Sequence, residues 1–287
     1  MQIAMMIRAV LLALVFLVPA GAAKACDGYD LAVTQMTAFS YNAADPVTTT
    51  LEVEFRAVES GLPRRCRNQR VQIDIIGGTA RDPDLEAGGE RLQARWINTG
   101  EVNRNGDQWR LRRSARTDLV EGDTLSIAFF EIDAGQFVTP GEYRQTWRIT
   151  IGDNEMTVPI IVTVEPAIRL EGDSQSGTQA LDLGDITNGA RASSDFFFRT
   201  NSAVAITLVS DNHGTLQHEQ GKQFGRIPYS AAISGQAVDL SSGSDTVDIP
   251  FSGAAIQSGR LEVEVAPSPH EYAGRYRDVI TMSFIPY

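Results

Sequence analysis

Three histidines, two cysteines and one short triplet are the residues of this 287-residue chain whose types could do chemistry. His213 and His218 stand five apart around an expected turn, and His270 lies far from both. No cysteine or tight carboxylate group joins them, so the ligand spacing of a metal site is lacking. The triplet Ser210-Asp211-Asn212 belongs to acyl-serine chemistry only beside a Ser-x-x-Lys segment, and none occurs. It is read as a turn. No Gly-x-Ser-x-Gly elbow, phosphate-cradling P-loop or dinucleotide fingerprint is present. The 36 acidic residues contain no spacing that selects a catalytic pair. The expectation is a protein with no catalytic residues, no metal and no cofactor.

The cysteines point elsewhere. Arg8 precedes the apolar run Ala9–Ala20, and two small-x-small sites follow, Ala20-Gly21-Ala22 and Ala23-Lys24-Ala25. This is the three-part pattern of a cleaved export signal, assigned to residues 1–25, and the run is short for a membrane span. Cys26 directly after Ala25 raises a lipoprotein alternative, which the charge of Lys24 disfavours. After export, Cys26 and Cys66 meet an oxidising compartment, where a lone pair of thiols becomes a disulfide. Closing that loop would add roughly 4 kcal/mol of stability in the chain-entropy account. Losing Arg8 and Lys24 from 25 basic residues leaves 23 against 36 acidic ones, a net of −13. Such a chain has no electrostatic footprint for nucleic acid or anionic lipid.

What must position any functional residue is a set of strands. Apolar residues alternate with polar ones in Thr50–Phe55, Arg70–Ile76, Thr124–Phe130, Ala203–Val209 and Arg260–Val265. Clusters of Gly, Asp, Asn, Ser and Pro separate them, and helical periodicity is nearly absent. The fold class expected is all-β: two tandem Ig-like β-sandwich domains. The boundary falls near Leu170, before the polar stretch Glu171–Gln179, which reads as a linker or an exposed loop. Residues 26–168 form one domain and residues 169–287 the other.

The two halves share a faint repeat. Aligning Gly141 with Gly274 matches Tyr143 with Tyr276, Arg144 with Arg277, Trp147 with Ile280, Ile149 with Met282 and Ile151 with Phe284. In the first half the chain then turns and adds the apolar strand Met156–Val164. After Phe284 the sequence contains only Ile285, Pro286 and Tyr287. The second sandwich is therefore expected to be incomplete, with an open groove beside its closing strand. Such an edge is an aggregation hazard unless a strand from another chain fills it. The expected groove residues are Phe196, Phe198, Ile206, Leu208, Tyr276, Ile280, Met282 and Phe284.

Three stretches of the second half, Asp182–Ile186, Phe196–Gln217 with Ile227–Gly235 following it, and Tyr272–Phe284, resemble in order the spore coat protein U family, and through it the subunits of Csu-type (archaic) chaperone–usher pili. The resemblance covers most of residues 175–287 and reaches the first half only at its Gly-x-Tyr strand. It implies a pilus subunit that accepts a donor strand from an adjacent subunit, handled by a periplasmic chaperone and an outer-membrane usher. Two tandem domains match the family's tip adhesins, and a Cys26 pinned near the cleavage site leaves little chain to donate. The expectation is a tip subunit, exported through the periplasm to the cell surface and serving attachment and biofilm formation. Its first domain would contact an unknown surface or host receptor through exposed apolar loops, with Ile75, Ile76, Phe129, Phe130 and Phe137 as candidates. A shaft or adaptor subunit, or a freestanding secreted carbohydrate-binding sandwich, are the alternatives.

Overall fold

The computed structural model describes residues 29–30, 39–45, 49–57, 71–78, 83–97, 102–105, 108–112, 114, 124–151, 154–253, 256–267 and 272–287. The export signal, Cys26, Cys66 and His270 lie outside the described residues. The fold is all-β.

Residues 29–164 build two sheets. The smaller has the order Tyr29–Asp30 (β1), Thr49–Ala57 (β3), Thr124–Ile132 (β10), Ala94–Ile97 (β7). The larger runs Phe39–Tyr41 (β2), Asn154–Val164 (β12), Gly141–Ile151 (β11), Val71–Ile76 (β4), Gln108–Leu111 (β9), Val102–Asn105 (β8). Leu85–Ala87 (β5) also pairs with β11 and with Glu90–Leu92 (β6). Residues 168–287 build two more. One has the order Ile168–Glu171 (β13), Ala190–Thr200 (β14), Gln257–Val265 (β20), Arg226–Ile233 (β17), Thr215–His218 (β16), Tyr276–Arg277 (β21), with Gln236–Val238 (β18) added to β17. The other is three-stranded: Ser244–Ile249 (β19), Val204–Ser210 (β15), Ile280–Pro286 (β22). Among the described residues no ladder joins the first pair of sheets to the second.

Period-two patterning accounts for the layers, because successive side chains on a strand point to opposite faces. In β11, Tyr143, Gln145 and Trp147 are buried while Arg144 and Arg148 face water. β12 answers with buried Val158, Ile160, Val162 and Val164. These residues, with Tyr41, Ile73, Leu85, Leu92 and Ile132, form one core. Phe196 and Phe198 of β14, Val204, Ile206 and Leu208 of β15, Ile233, Leu261 and Val263 form another.

Two expectations from sequence meet a different arrangement. The polar stretch from Glu171 onward does not divide the two sets of sheets. Glu171 ends β13, which ladders onto β14 from Ile168↔Thr200 to Glu171↔Phe197, and the stretch is the crossover between those strands. Ile168 and Leu170 hold β13 there by packing on the C-terminal core. The closing strand is also not one strand. Tyr276 and Arg277 pair with β16, whereas Ile280 to Pro286 pair with β15 in the opposite sheet. The switch occurs at Asp278, whose carboxylate accepts hydrogen bonds from the Ser210 hydroxyl (2.6 Å), the Tyr229 hydroxyl (2.6 Å) and the Asn212 and Val279 N–H groups (3.1 and 2.8 Å). A short acidic side chain that takes up turn donors makes such a change of direction stable.

Candidate functional site

The closing strands of the two halves have unequal neighbours. β11 is laddered on both sides, to β12 over eleven residue pairs and to β4 and β5 on its other edge. β22 is laddered to β15 alone among the described residues. β13 is likewise the outermost strand of its sheet. The two outer strands approach within 8 Å, Cα to Cα, and no ladder joins them. Together they form a seam where the two C-terminal sheets meet with free edges. An unpaired edge presents a row of N–H and C=O groups to any extended chain that lies along it.

The seam is apolar inside. Ile280, Met282 and Phe284 of β22 and Ile168 and Leu170 of β13 all point inward, yet all stay only half-buried. Their neighbours Phe196, Phe198, Ile206 and Leu208 are buried and form the floor. Phe284 stands opposite Ile206, and Met282 opposite Leu208. The Phe284 ring lies 5.6 Å from that of Phe196, edge to face, and 6.3 Å from that of Phe198. Phe196 can sit so deep because Gly259 lies opposite it on β20, where a Cβ would come 2.2 Å from the Phe196 ring.

Seven of the eight expected groove residues are thus brought together, and Tyr276 is not. Its ring belongs to a separate cluster with Leu216, Ile227 and Val265, 4.9 Å from the buried imidazole of His218. The Tyr276 hydroxyl donates to the carbonyl of Tyr272, four residues back, at 2.8 Å. Gly274 is required between them, because a Cβ there would lie 2.0 Å from His218 Nε2. His218 Nδ1 accepts the Gln220 N–H, so this histidine is a packing residue of the corner.

The same corner recurs in the first half, where the Tyr143 hydroxyl reaches within 3.0 Å of Thr139 O, again four residues back. There Glu90 adds a clamp. The Thr139 N–H, the Thr139 hydroxyl and the Tyr143 hydroxyl all donate to its carboxylate and hold its pKa below the ordinary glutamate value of 4.5. A depressed carboxylate pKa gives stability that is fully present above the unfolded value and fades as pH falls through the folded one. Glu90→Gln should therefore melt below the parent at pH 7, with the gap closing as the pH drops under 4.5. Melting curves taken across that range check this, and a gap independent of pH would exclude the clamp.

The five candidate contact residues scatter. Ile75 is buried in β4, and Ile76 beside it is exposed. Both border a cleft of about 260 Å³ together with Gly77, Asp84, Glu86, Arg91 and Arg144. Several of the cleft's polar groups have partners: Arg91 pairs with Glu86, Arg144 with Glu142, and Asp84 accepts the Ala94 N–H. Phe129 and Phe130 lie in β10, and their side chains lie outside the described residues. Phe137 is not at an exposed tip. It packs half-buried on the N-terminal core and faces Arg169 and Arg199 of the C-terminal half.

Sequence reasoning missed Ile168 and Leu170, although the alternation of Ile168-Arg169-Leu170-Glu171 signals a strand. It also missed Gly259 and Asp278, which leave no periodic trace.

No protein-family model matches the chain, and no curated protein matches it in sequence. Solved structures of similar shape include the CsuC–CsuE chaperone–tip adhesion subunit pre-assembly complex from the archaic chaperone–usher Csu pili of Acinetobacter baumannii, 13% identical, covering 86% of this chain and 96% of that one with a TM-score of 0.49. The C-terminal domain of the Streptococcus agalactiae AgI/II polypeptide BspA is 10% identical, covering 87% of this chain and 92% of that one, at 0.27. The C-terminal domain of the Streptococcus pyogenes antigen I/II-family protein AspA is 10% identical, covering 86% and 90%, also at 0.27. With TM-scores below 0.5, none of these likenesses bears on function.

Proposed function

We propose that the seam between β13 and β22 accepts a β-strand from another polypeptide, and that the protein is a non-catalytic subunit of a chaperone–usher surface pilus. The observation that carries this is the unequal pairing of the two closing strands. Among the described residues β11 has a ladder on each side, whereas β22 has one and leaves Ile280, Met282 and Phe284 half-buried. A strand laid along β22 would complete a ladder with its backbone and bury alternate side chains on the aromatic floor. The likeness of residues 175–287 to the spore coat protein U family belongs to the same proposal. So do the export signal, the Cys26–Cys66 disulfide, the division into residues 26–168 and 169–287, and a tip position in which the first domain attaches to a surface. The partners are a periplasmic chaperone, an outer-membrane usher and the adjacent subunit.

Purified alone, the protein should aggregate from its open edge. Co-expression with a pilus chaperone, or addition of a peptide with large apolar residues at alternate positions, should keep it monodisperse. At a hundredfold excess over Kd such a ligand stabilises the folded state by about 2.7 kcal/mol, which thermal unfolding reads directly. A scrambled peptide that breaks the alternation should have no effect. A monomer that is heat-stable alone and indifferent to both peptides would refute the proposal.

A further inference from the structure

We infer that β13 is shared by the strand-accepting seam and by a joint between the two halves, so that filling the seam locks the halves together. This rests on the proposed reading of the seam. The strand's two faces do different things. Ile168 and Leu170 point to the C-terminal core at the seam. Arg169, between them, places its guanidinium 5.7 Å from the Phe137 ring centroid, and Arg199, its register partner on β14, stands at the same distance. Like charges opposite one another on neighbouring strands repel. Glu171 offsets this by pairing with both, at 2.9 Å to Arg169 and 3.4 Å to Arg199. The ring face of Phe137 attracts both cations.

Phe137 is fixed from the other side. The Gln136 N–H donates to the Tyr41 hydroxyl at 2.9 Å, that hydroxyl donates to Asp133 O at 2.8 Å, and Gln136 Nε2 donates to Gln93 O at 2.8 Å. Beside it Asn201, buried and just beyond β14, spans the two halves. Its Nδ2 donates to Val138 O and Glu165 O, both at 3.0 Å, and its Oδ1 accepts the Ala167 N–H at 2.7 Å. Ala167 immediately precedes β13, and the Thr200 hydroxyl donates to its carbonyl at 2.9 Å. The joint therefore closes on the N-terminal half of a four-residue strand whose outer edge carries no ladder among the described residues. A short outermost strand frays, and fraying would withdraw Arg169 from Phe137 and loosen Ala167 from Asn201. A strand captured along that edge suppresses the fraying. By linkage, an intact joint must favour capture by the same factor.

The test uses the full mature chain and the alternating apolar peptide. Hydrogen exchange should show added protection at Gln136–Thr139 and Glu165–Ala167 when the peptide binds, although neither segment lies in the seam. Reciprocally, Phe137→Ala should weaken peptide affinity about fivefold, a modest coupling. Arg169→Met, which keeps the length of the side chain and removes its charge, should act in the same direction without deleting a packed ring. Phe251→Ala, a change at an exposed aromatic outside both joint and seam, should leave affinity unchanged. Equal affinity in all three variants, with protection confined to β13 and β22, overturns the coupling and leaves the seam standing. No binding to the unsubstituted protein overturns both.

Discussion

Asp278→Ala is expected to destabilise the C-terminal half more than any other single change at the sheet switch. The carboxylate accepts from two hydroxyls and two N–H groups at the point where the chain passes from one sheet to the other. The N–H groups of Asn212 and Val279 can turn to water. The hydroxyls of Ser210, which is buried, and Tyr229, which is half-buried, cannot do so freely. Each buried donor left without an acceptor costs about 1–3 kcal/mol, and bonds to a charged group lie at the upper end. The loss comes to about 3–4 kcal/mol, a large share of the 5–15 kcal/mol that holds a typical domain. The Ser210 hydroxyl also accepts the Gly214 N–H, so its release disturbs the turn that follows β15. Asp278→Asn keeps one acceptor oxygen and should fall between the parent and the alanine variant. Asp211→Ala, three residues after β15's inward Leu208 and exposed, is the control, with a change within about 0.5 kcal/mol. Urea titrations of the three proteins give the ranking. Equal midpoints for Asp278→Ala and Asp211→Ala would show that the sheet switch does not depend on this carboxylate. The same substitution should abolish peptide capture, because β22 is positioned by the switch.

The strands and the corners were legible in the sequence because their signals are local. Alternation marks β3, β4, β10, β15 and β20 without knowledge of any partner, and the shared Gly-x-Tyr-Arg segment is borne by two corners in which a tyrosine hydroxyl reaches four residues back. The interruption of the closing strand was not legible. Asp278 draws its two hydroxyl donors from 68 and 49 residues away, and a carboxylate in a run of alternating residues looks like any other outward-facing position. For the same reason Tyr276 was grouped with Ile280, Met282 and Phe284: they share a parity in the sequence, but the chain changes sheets between them. β13 escaped notice because four residues beside a Gly/Ser-rich stretch read as part of a boundary. Only the pairing with β14 makes it a strand, and only its position outermost in the sheet makes it half of the seam. Phe137 shows the converse error. An apolar residue in a Gly-containing loop suggests a contact surface, whereas two guanidiniums from a distant segment cover it.

Gly259→Val should close the seam from beneath. Phe196 lies directly opposite Gly259 in the ladder between β14 and β20, and its ring occupies the space where a side chain at position 259 would begin. A Cβ there meets ring carbons at 2.2 and 2.4 Å, so the ring must leave. It stacks on Phe198 at 6.1 Å and stands edge-on to Phe284 at 5.6 Å, so it can leave only by pushing into one of them. Displaced toward Phe284, it fills the place that a captured strand would use. Overpacking of this kind costs up to about 3 kcal/mol, and the loss of strand capture should be greater in proportion than the loss of stability. Pairing the change with Phe196→Leu separates the two effects. A smaller residue at 196 vacates the ring's position, so the double variant should recover both folding and peptide binding relative to Gly259→Val alone. Residues in direct contact give such non-additive energies of about 0.5–3 kcal/mol, whereas independent sites simply add. A double variant whose destabilisation equals the sum of the single ones would show that the contact between Phe196 and Gly259 does not set the depth of the aromatic floor. Retained peptide binding in Gly259→Val would show that the floor is not part of the site.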